Sequence, residues 1–257
     1  MRPDLITDLF QKEAMYWWNV SKREMIFSLL GSMGFLGSRS SSGIAVDIGC
    51  GGGYTAKVFE SYWRVVGVDV SRDALHLCQR RGLSLLCRVD LASCALPFKT
   101  SSFEVVLALD VIEHIKDDVY ALSEFRRILK PGGLLIVTVP AFMALWSPWD
   151  EALGHLRRYR ASSLAEACQG AGLVLEKLTY MMFFLFPIAV LVRWLKRVIQ
   201  RDARNYSSDF IPLPGIVNRF LVQIGRLEQW IITRLNLKLP FGLSVIAVMT
   251  KRRASLG

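Results

Sequence analysis

Apolar residues follow two different periods along this chain. Over residues 1–37 they recur at helix spacing, at Leu5, Leu9, Met15, Trp18, Met25 and Leu29, which predicts a helical N-terminal segment. Residues 37–43 (GSRSSSG) interrupt it with small, flexible residues. From residue 44 onward, short apolar runs alternate with helical stretches. Strands are predicted over 44–48, 64–70, 83–89, 103–109, 134–139, 173–180 and 243–250, and helices over 56–59, 73–81, 119–129 and 163–171. Strands that are apolar along almost their whole length lie in a parallel sheet covered on both faces. The expected fold class is therefore α/β, a doubly wound and mostly parallel sheet of seven strands.

One segment breaks the alternation. Residues 181–240 separate the last two strands, and an insertion of that length is expected to carry its own helices and its own task. It opens on an apolar run over 180–192, thirteen residues interrupted by Pro187 and closed by Arg193 and Lys196. A bilayer crossing needs about 20 residues. The run predicts an element lying on a membrane, with Trp194 and the basic residues at the headgroups. Leu221, Ile224, Leu227, Ile231 and Leu235, interleaved with Arg219, Arg226 and Arg234, predict a second amphipathic helix. Four parts follow: a helical cap (1–43), an α/β core (44–180), a hydrophobic and basic insertion (181–240), and a final strand with a basic tail (241–257).

Composition sharpens this division. Hydrophobic residues make up 52% of the chain and charged residues 21%, enough for a large core. The net charge is +10, and residues 193–253 hold twelve Lys/Arg against three Asp/Glu, so the anion-seeking surface belongs to the last quarter of the chain. Asp4 and Asp8 sit where a signal peptide would be apolar. The expected location is cytoplasmic, peripheral on the inner face of the membrane through residues 181–201. The five cysteines form no Cys-x-x-Cys pair and no Cys/His set with zinc spacing, so no metal site is expected.

The candidate chemistry begins at Asp47-Ile48-Gly49-Cys50-Gly51-Gly52-Gly53-Tyr54, between a strand and a helix. The pattern is D-x-G-x-G-x-G, with Tyr54 where a dinucleotide fingerprint would place its third glycine. An acid ahead of the glycines would repel a pyrophosphate and suits a ligand bearing an ammonium and a sulfonium. Asp69, in Val68-Asp69-Val70, follows Asp47 by 22 residues, close to the length of a strand–helix–strand unit. Further on come Asp90-Leu91, Asp110-Val111-Ile112-Glu113-His114 and Leu129-Lys130-Pro131-Gly132-Gly133.

This ordered set resembles the class I S-adenosylmethionine-dependent methyltransferases, especially the ubiquinone/menaquinone-methyltransferase-like (type 11) group, over residues 44–180 and the last strand. The resemblance implies a Rossmann-like methyltransferase fold and S-adenosylmethionine as cofactor. It implies a cofactor site of Asp47, Gly49, Cys50, Gly51 and Tyr54, with Asp69 and Val70 at the ribose, Asp90 and Leu91 at the adenine, and Asp110 beside the methionine moiety. After the fifth strand, Trp146-Ser147-Pro148-Trp149-Asp150 and Gly154-His155-Leu156-Arg157-Arg158-Tyr159 resemble a mark of some bacterial relatives. Ligands of open α/β sheets bind at this edge, which makes the segment a candidate lid. His155, Asp150 and Tyr159 are the candidate catalytic groups. Trp17, Trp18, His114, Trp146, Arg157 and Arg158 are the candidate acceptor contacts.

The expected activity is methyl transfer to a small-molecule acceptor, lipid or lipid-linked, such as a prenylated quinone or glycolipid. The alternatives are a soluble secondary-metabolite O- or N-methyltransferase, an RNA methyltransferase, or a cofactor-binding protein without activity. A nucleic-acid partner is disfavoured, because the basic tail interleaves its arginines with Leu and Ile rather than with stacking aromatics.

Overall fold

The computed structural model describes residues 13–36, 43–199 and 213–251, the side chains of 196–199 excepted. The expected doubly wound sheet is present. Its strands are β1 (Ile44–Ile48), β2 (Arg64–Asp69), β3 (Leu86–Arg88), β4 (Phe103–Leu109), β5 (Leu129–Pro140), β6 (Val174–Met181) and β7 (Ser244–Thr250). They lie in the order β3-β2-β1-β4-β5-β7-β6. Strands β1 to β5 pair in parallel, and β7 runs antiparallel between β5 and β6.

Successive strand residues point to opposite faces, so each inner strand feeds two cores. Val46, Val106, Ala108, Leu135 and Val137 meet Leu122 and Phe125 of α4 (Asp118–Ile128) and Leu164 and Cys168 of α6 (Ala161–Gly170). Ala45, Val105, Leu107, Leu134 and Ile136 share the opposite core with Met25 and Leu29 of α1 (Trp17–Ser32). That core also holds Phe59 of α2 (Tyr54–Phe59) and Leu75 and Cys78 of α3 (Arg72–Arg80). A short helix, α5 (Pro148–Leu153), lies in the segment after β5.

Three expectations change at this level. The third strand shrinks from 83–89 to Leu86–Arg88, as suits an edge strand with a single neighbour. The fifth strand, expected over 134–139, begins already at Leu129 and takes in Lys130-Pro131-Gly132-Gly133, and the register against β4 shifts between Phe103 and Val105 to absorb them. The insertion forms two helices, α7 (Phe186–Ile199) and α8 (Gly215–Arg234), and they differ. Helix α8 lies along α1, about 200 residues away in sequence. Asn218 accepts from the Trp17 amide at 2.8 Å and donates to the Met15 carbonyl at 2.9 Å. Arg226 pairs with Glu24 at 2.7 Å. At the crossing Gly225 lets the backbones meet, since a β-carbon there would run into the Ser21 side chain. Buried Glu228 accepts the amides of Met182 and Phe183, tying α8 to the end of β6. The second amphipathic helix therefore spends one face on the protein itself. Residues 1–12, the 37–42 break, Arg201, Arg204 and the tail from 252 lie outside the described residues.

Candidate active site

Strands β1, β2 and β4 end at one edge of the sheet, and their loops leave it side by side. Gly49 and Gly51 take left-handed backbone angles, φ +68° and +55°, and a β-carbon on Gly49 would strike the Val111 side chain beyond β4. The Gly51 amide donates to Asp69 Oδ2 at 2.9 Å, and the Ser71 amide to Asp69 Oδ1 at 2.8 Å. The second-strand acid therefore holds the glycine loop in shape. Glu13, just before α1, reaches across the loop. Its carboxylate accepts from the Tyr54 amide at 3.2 Å and from Arg81 at 2.6 Å. The Arg23 guanidinium lies over the Tyr54 ring, 4.5 Å from its centroid.

Burial pushes the Asp47 carboxyl up to about 8, and the like charges of Glu13 and Asp69 add to the shift. Three carboxyl groups around a glycine loop favour a ligand that brings positive charge and oppose a pyrophosphate. The sulfonium and ammonium of S-adenosylmethionine fit this donor set. The adenine end is less complete: Asp90 is exposed, and its carboxylate accepts from Ala92 and Ser93 of its own turn at 3.0 and 2.9 Å. Val70 is exposed, while Leu91 packs against the core.

Beyond β4 the chain turns sharply at Asp110 (φ +56°) into a short 3-10 turn, Ile112–His114. Lys22 of α1 forms an ion pair with Asp110 Oδ2, and Thr138 donates to Oδ1 at 2.9 Å. Burial works against the Asp110 charge, but Lys22 and Thr138 outweigh it and hold the carboxyl below its usual value. Glu113 is fully buried, and neither carboxylate oxygen has a hydrogen-bond partner among the described residues. Burial, with the Asp110 charge nearby, pushes its carboxyl well above the ordinary value.

The segment after β5 folds back onto this turn. Asp150 is fully buried and accepts from Arg158 at 2.7 and 3.0 Å, from the Ser147 amide at 2.8 Å, and from His155 Nδ1 at 2.9 Å. Burial alone would raise Asp150, but the His155 and Arg158 contacts hold its carboxyl well below the usual range. His155 in turn packs edge-on against His114, with ring centroids 4.8 Å apart.

These groups form one end of a cavity of about 520 Å³. Lys22, Asp110, Glu113, His114, His155 and Arg158 line its polar end. Trp17, Trp18 and Trp149 line it with Leu185, Ile188, Ala189 and Val192 from α7 and the turn before it, and with Leu221 of α8. The structure thus brings together His155, Arg158, His114, Trp17 and Trp18 of the expected acceptor site, with Asp150 one residue behind as the group that orients His155. It does not bring Tyr159, Arg157 or Trp146 to the cavity wall. The buried Tyr159 phenol donates to Asp118 at 2.7 Å, and Arg157 pairs with the same carboxylate at 3.0 Å. The Trp146 indole nitrogen donates to Glu151 at 3.3 Å. These three fasten the lid segment to α4 and to itself. Sequence reasoning missed Lys22, Glu113 and Trp149. Glu113 lay inside a recognised segment, whereas nothing near Lys22 in sequence marks it.

Comparison with known proteins bears on the part of the site between β1 and β5. Residues 46–137 match the methyltransferase domain family. A relative named "Probable S-adenosylmethionine-dependent methyltransferase", from Mycolicibacterium smegmatis, is 29% identical over 170 residues, covering 64% of this chain and 62% of its own. The ubiquinone biosynthesis O-methyltransferase of Methylococcus capsulatus is 32% identical over 94 residues, 35% of this chain and 40% of its own. Among solved structures, Haemonchus contortus phosphoethanolamine N-methyltransferase 2 in complex with S-adenosyl-L-methionine superposes with a TM-score of 0.56. It is 19% identical, and the match covers 96% of this chain and 60% of that one, a likeness of fold.

Proposed function

Residues 46–137 belong to the class I S-adenosylmethionine-dependent methyltransferases of the type 11 group, and from that premise we propose that the protein methylates a small-molecule acceptor with a lipid-like portion at a membrane surface. When bound, S-adenosylmethionine supplies a methyl group activated on sulfur for in-line transfer. Asp47, Asp69 and the glycine loop hold it at the edge of the sheet. The paired Lys22 and Asp110 line the cavity. Asp150 accepts the Nδ1 proton of His155, which leaves Nε2 as the basic atom of a cavity-lining ring, to take a proton from the acceptor's nucleophilic group. Arg158 keeps Asp150 charged and fixed, so it positions His155 rather than touching the acceptor's reacting atom.

One observation carries the choice of acceptor. Ile188 of α7 lines the cavity and is also 60% exposed, so the apolar wall continues onto the outer surface. Leu191, Trp194 and Leu195 extend that surface along α7, and Ile216, Phe220 and Trp230 along α8. Covering one such side chain is worth roughly 1.5–3 kcal/mol, and each nearby basic residue adds about 1 kcal/mol at an anionic surface. No helix among the described residues is long and apolar enough to cross a membrane. A surface-bound orientation lets an apolar tail enter the cavity without leaving lipid.

The test uses methyl-labelled S-adenosylmethionine with a detergent-dispersed lipid extract, an aqueous metabolite extract and total RNA. Label should enter the organic phase. Label confined to the aqueous metabolites or to RNA overturns the lipid assignment. In parallel, the protein should pellet with anionic vesicles, and Leu191→Glu with Trp194→Glu should release it. Pelleting unaffected by that double substitution removes α7 as the contact.

A further inference from the structure

We propose that Glu113, His114 and His155 form a binding site for a divalent transition-metal ion, with Zn2+ as the type, at the polar end of the cavity. The ligating atoms of the three residues all lie within 4.8 Å of one another. His155 Nε2 stands 4.0 Å from Glu113 Oε1. About 3.4 Å separates neighbouring ligands around a tetrahedral zinc with bonds of roughly 2.0–2.1 Å, so side-chain rotation suffices to close the set.

The orientation of the rings carries the argument. His155 Nδ1 faces Asp150 Oδ1 at 2.9 Å, and His114 Nδ1 faces the Gly154 carbonyl at 3.2 Å. A carboxylate and a carbonyl only accept hydrogen bonds, so in each neutral ring the proton sits on Nδ1. Both Nε2 atoms are then bare lone pairs. A carboxylate behind a histidine is the usual outer support of a metal ligand, fixing the tautomer and raising basicity. Here Asp150, clamped by Arg158, provides it.

Glu113 supplies the independent observation. Its carboxyl is fully buried, lies against the His155 ring nitrogen, and lacks a hydrogen-bond partner among the described residues. Buried polar atoms left without partners are rare because each forfeits its hydration. The two nearest cations do not resolve this, since Lys22 is committed to Asp110 and Arg158 to Asp150. A dication would take all three lone pairs at once. Two imidazoles and one carboxylate suit zinc and its first-row neighbours. Three protein ligands leave a fourth position, open toward the cavity, where an acceptor oxygen would be polarised by the ion. In the loaded site the ion takes over from His155 the task of making that oxygen nucleophilic. That role rests on the methyltransferase reading, but the binding does not.

The test is calorimetry on the full-length protein, stripped with a chelator and titrated with ZnCl2, alongside S-adenosylhomocysteine binding on the same samples. One equivalent should bind saturably. Glu113→Gln and His114→Ala should each weaken it by at least about tenfold, since even losing a ligand's hydrogen-bond partner costs that much, while S-adenosylhomocysteine still binds. Absence of one-to-one zinc binding, or binding unchanged by Glu113→Gln, overturns the site. Should either variant lose S-adenosylhomocysteine binding through misfolding, Co2+ added to the unaltered protein decides, by giving or failing to give the visible absorption of a four-coordinate site. Zinc binding without S-adenosylhomocysteine binding would sink the methyltransferase reading and leave the metal site standing.

Discussion

On the cofactor side of the sheet edge, the acids and glycines that shape the site come from one strand–loop–helix–strand unit between Asp47 and Asp69. Their contacts are short-range: Gly51 and Ser71 both donate to Asp69. On the acceptor side, the cavity draws Lys22 from α1, Asp110 and Glu113 from beyond β4, His155 from beyond β5, and apolar residues from α7 and α8. Its key contacts span from 5 residues (Asp150–His155) to 88 (Lys22–Asp110). The first half is mostly a local device, to which Glu13 adds one long-range brace through the Tyr54 amide and Arg81. The second exists only once five separate segments have docked. Under the proposed function, recognition of the cofactor and choice of acceptor rest on different levels of the structure, and substitutions should separate them.

The largest separation should come from His155→Ala. Losing a general base typically costs about 10²–10⁴ in rate, whereas the glycine loop is untouched. Turnover should collapse with S-adenosylhomocysteine affinity unchanged, and parallel loss of both would mean that the two sides are not independent.

Arg158→Met should act next, on stability. It leaves the fully buried Asp150 charge without its bidentate partner, and breaking such a pair costs about 3–5 kcal/mol. The pH dependence identifies the pair. Asp150 has a depressed carboxyl pKa, so its contribution is fully present above the unfolded value of about 3.9 and is lost as pH falls through the lower folded value. Denaturant midpoints should lose that acid limb in the variant.

Asp69→Ala should weaken S-adenosylhomocysteine binding by about 1.5–3 kcal/mol, the worth of hydrogen bonds to a charged group, with little effect on His155 chemistry. Calorimetry checks it, and an unchanged affinity would leave Asp69 as a loop brace alone.

The smallest effect is a pH shift. Asp47 is protonated in the folded protein up to about 8, and a cationic ligand favours its ionised form. S-adenosylmethionine should therefore bind about tenfold more tightly at pH 8 than at pH 6, a difference of one unit in linked pKa, and should release a proton on binding. S-adenosylhomocysteine, without the sulfonium charge, should show a weaker trend.

Much of this division was written in the sequence. The near-continuous apolar runs predicted the strands, because a buried sheet needs apolar side chains on both faces of its inner strands. Gly49, Gly51 and Asp69 were legible because a tight turn demands glycines, and an acid to accept its amides, within a short span. Boundaries set by pairing were not legible: β3 is trimmed by its edge position, and β5 reaches back through Gly132 and Gly133 because β4 offers it a partner. The lid shows the limit of motif reasoning. Its polar residues were all marked, but only docking divides them, sending His155 and Arg158 to the cavity and Tyr159 and Arg157 to Asp118. Local spacing gave no sign of a cluster joining Glu113 and His114 to His155, since positions some forty residues apart become neighbours only through tertiary contact. The same holds for Lys22, whose ammonium meets Asp110 only because α1 lies across the sheet with α8 against it. Residue type and period decide what the chain can form locally. Which charges face each other in a low-dielectric interior is decided by packing, because it depends on segments that the sequence does not place side by side.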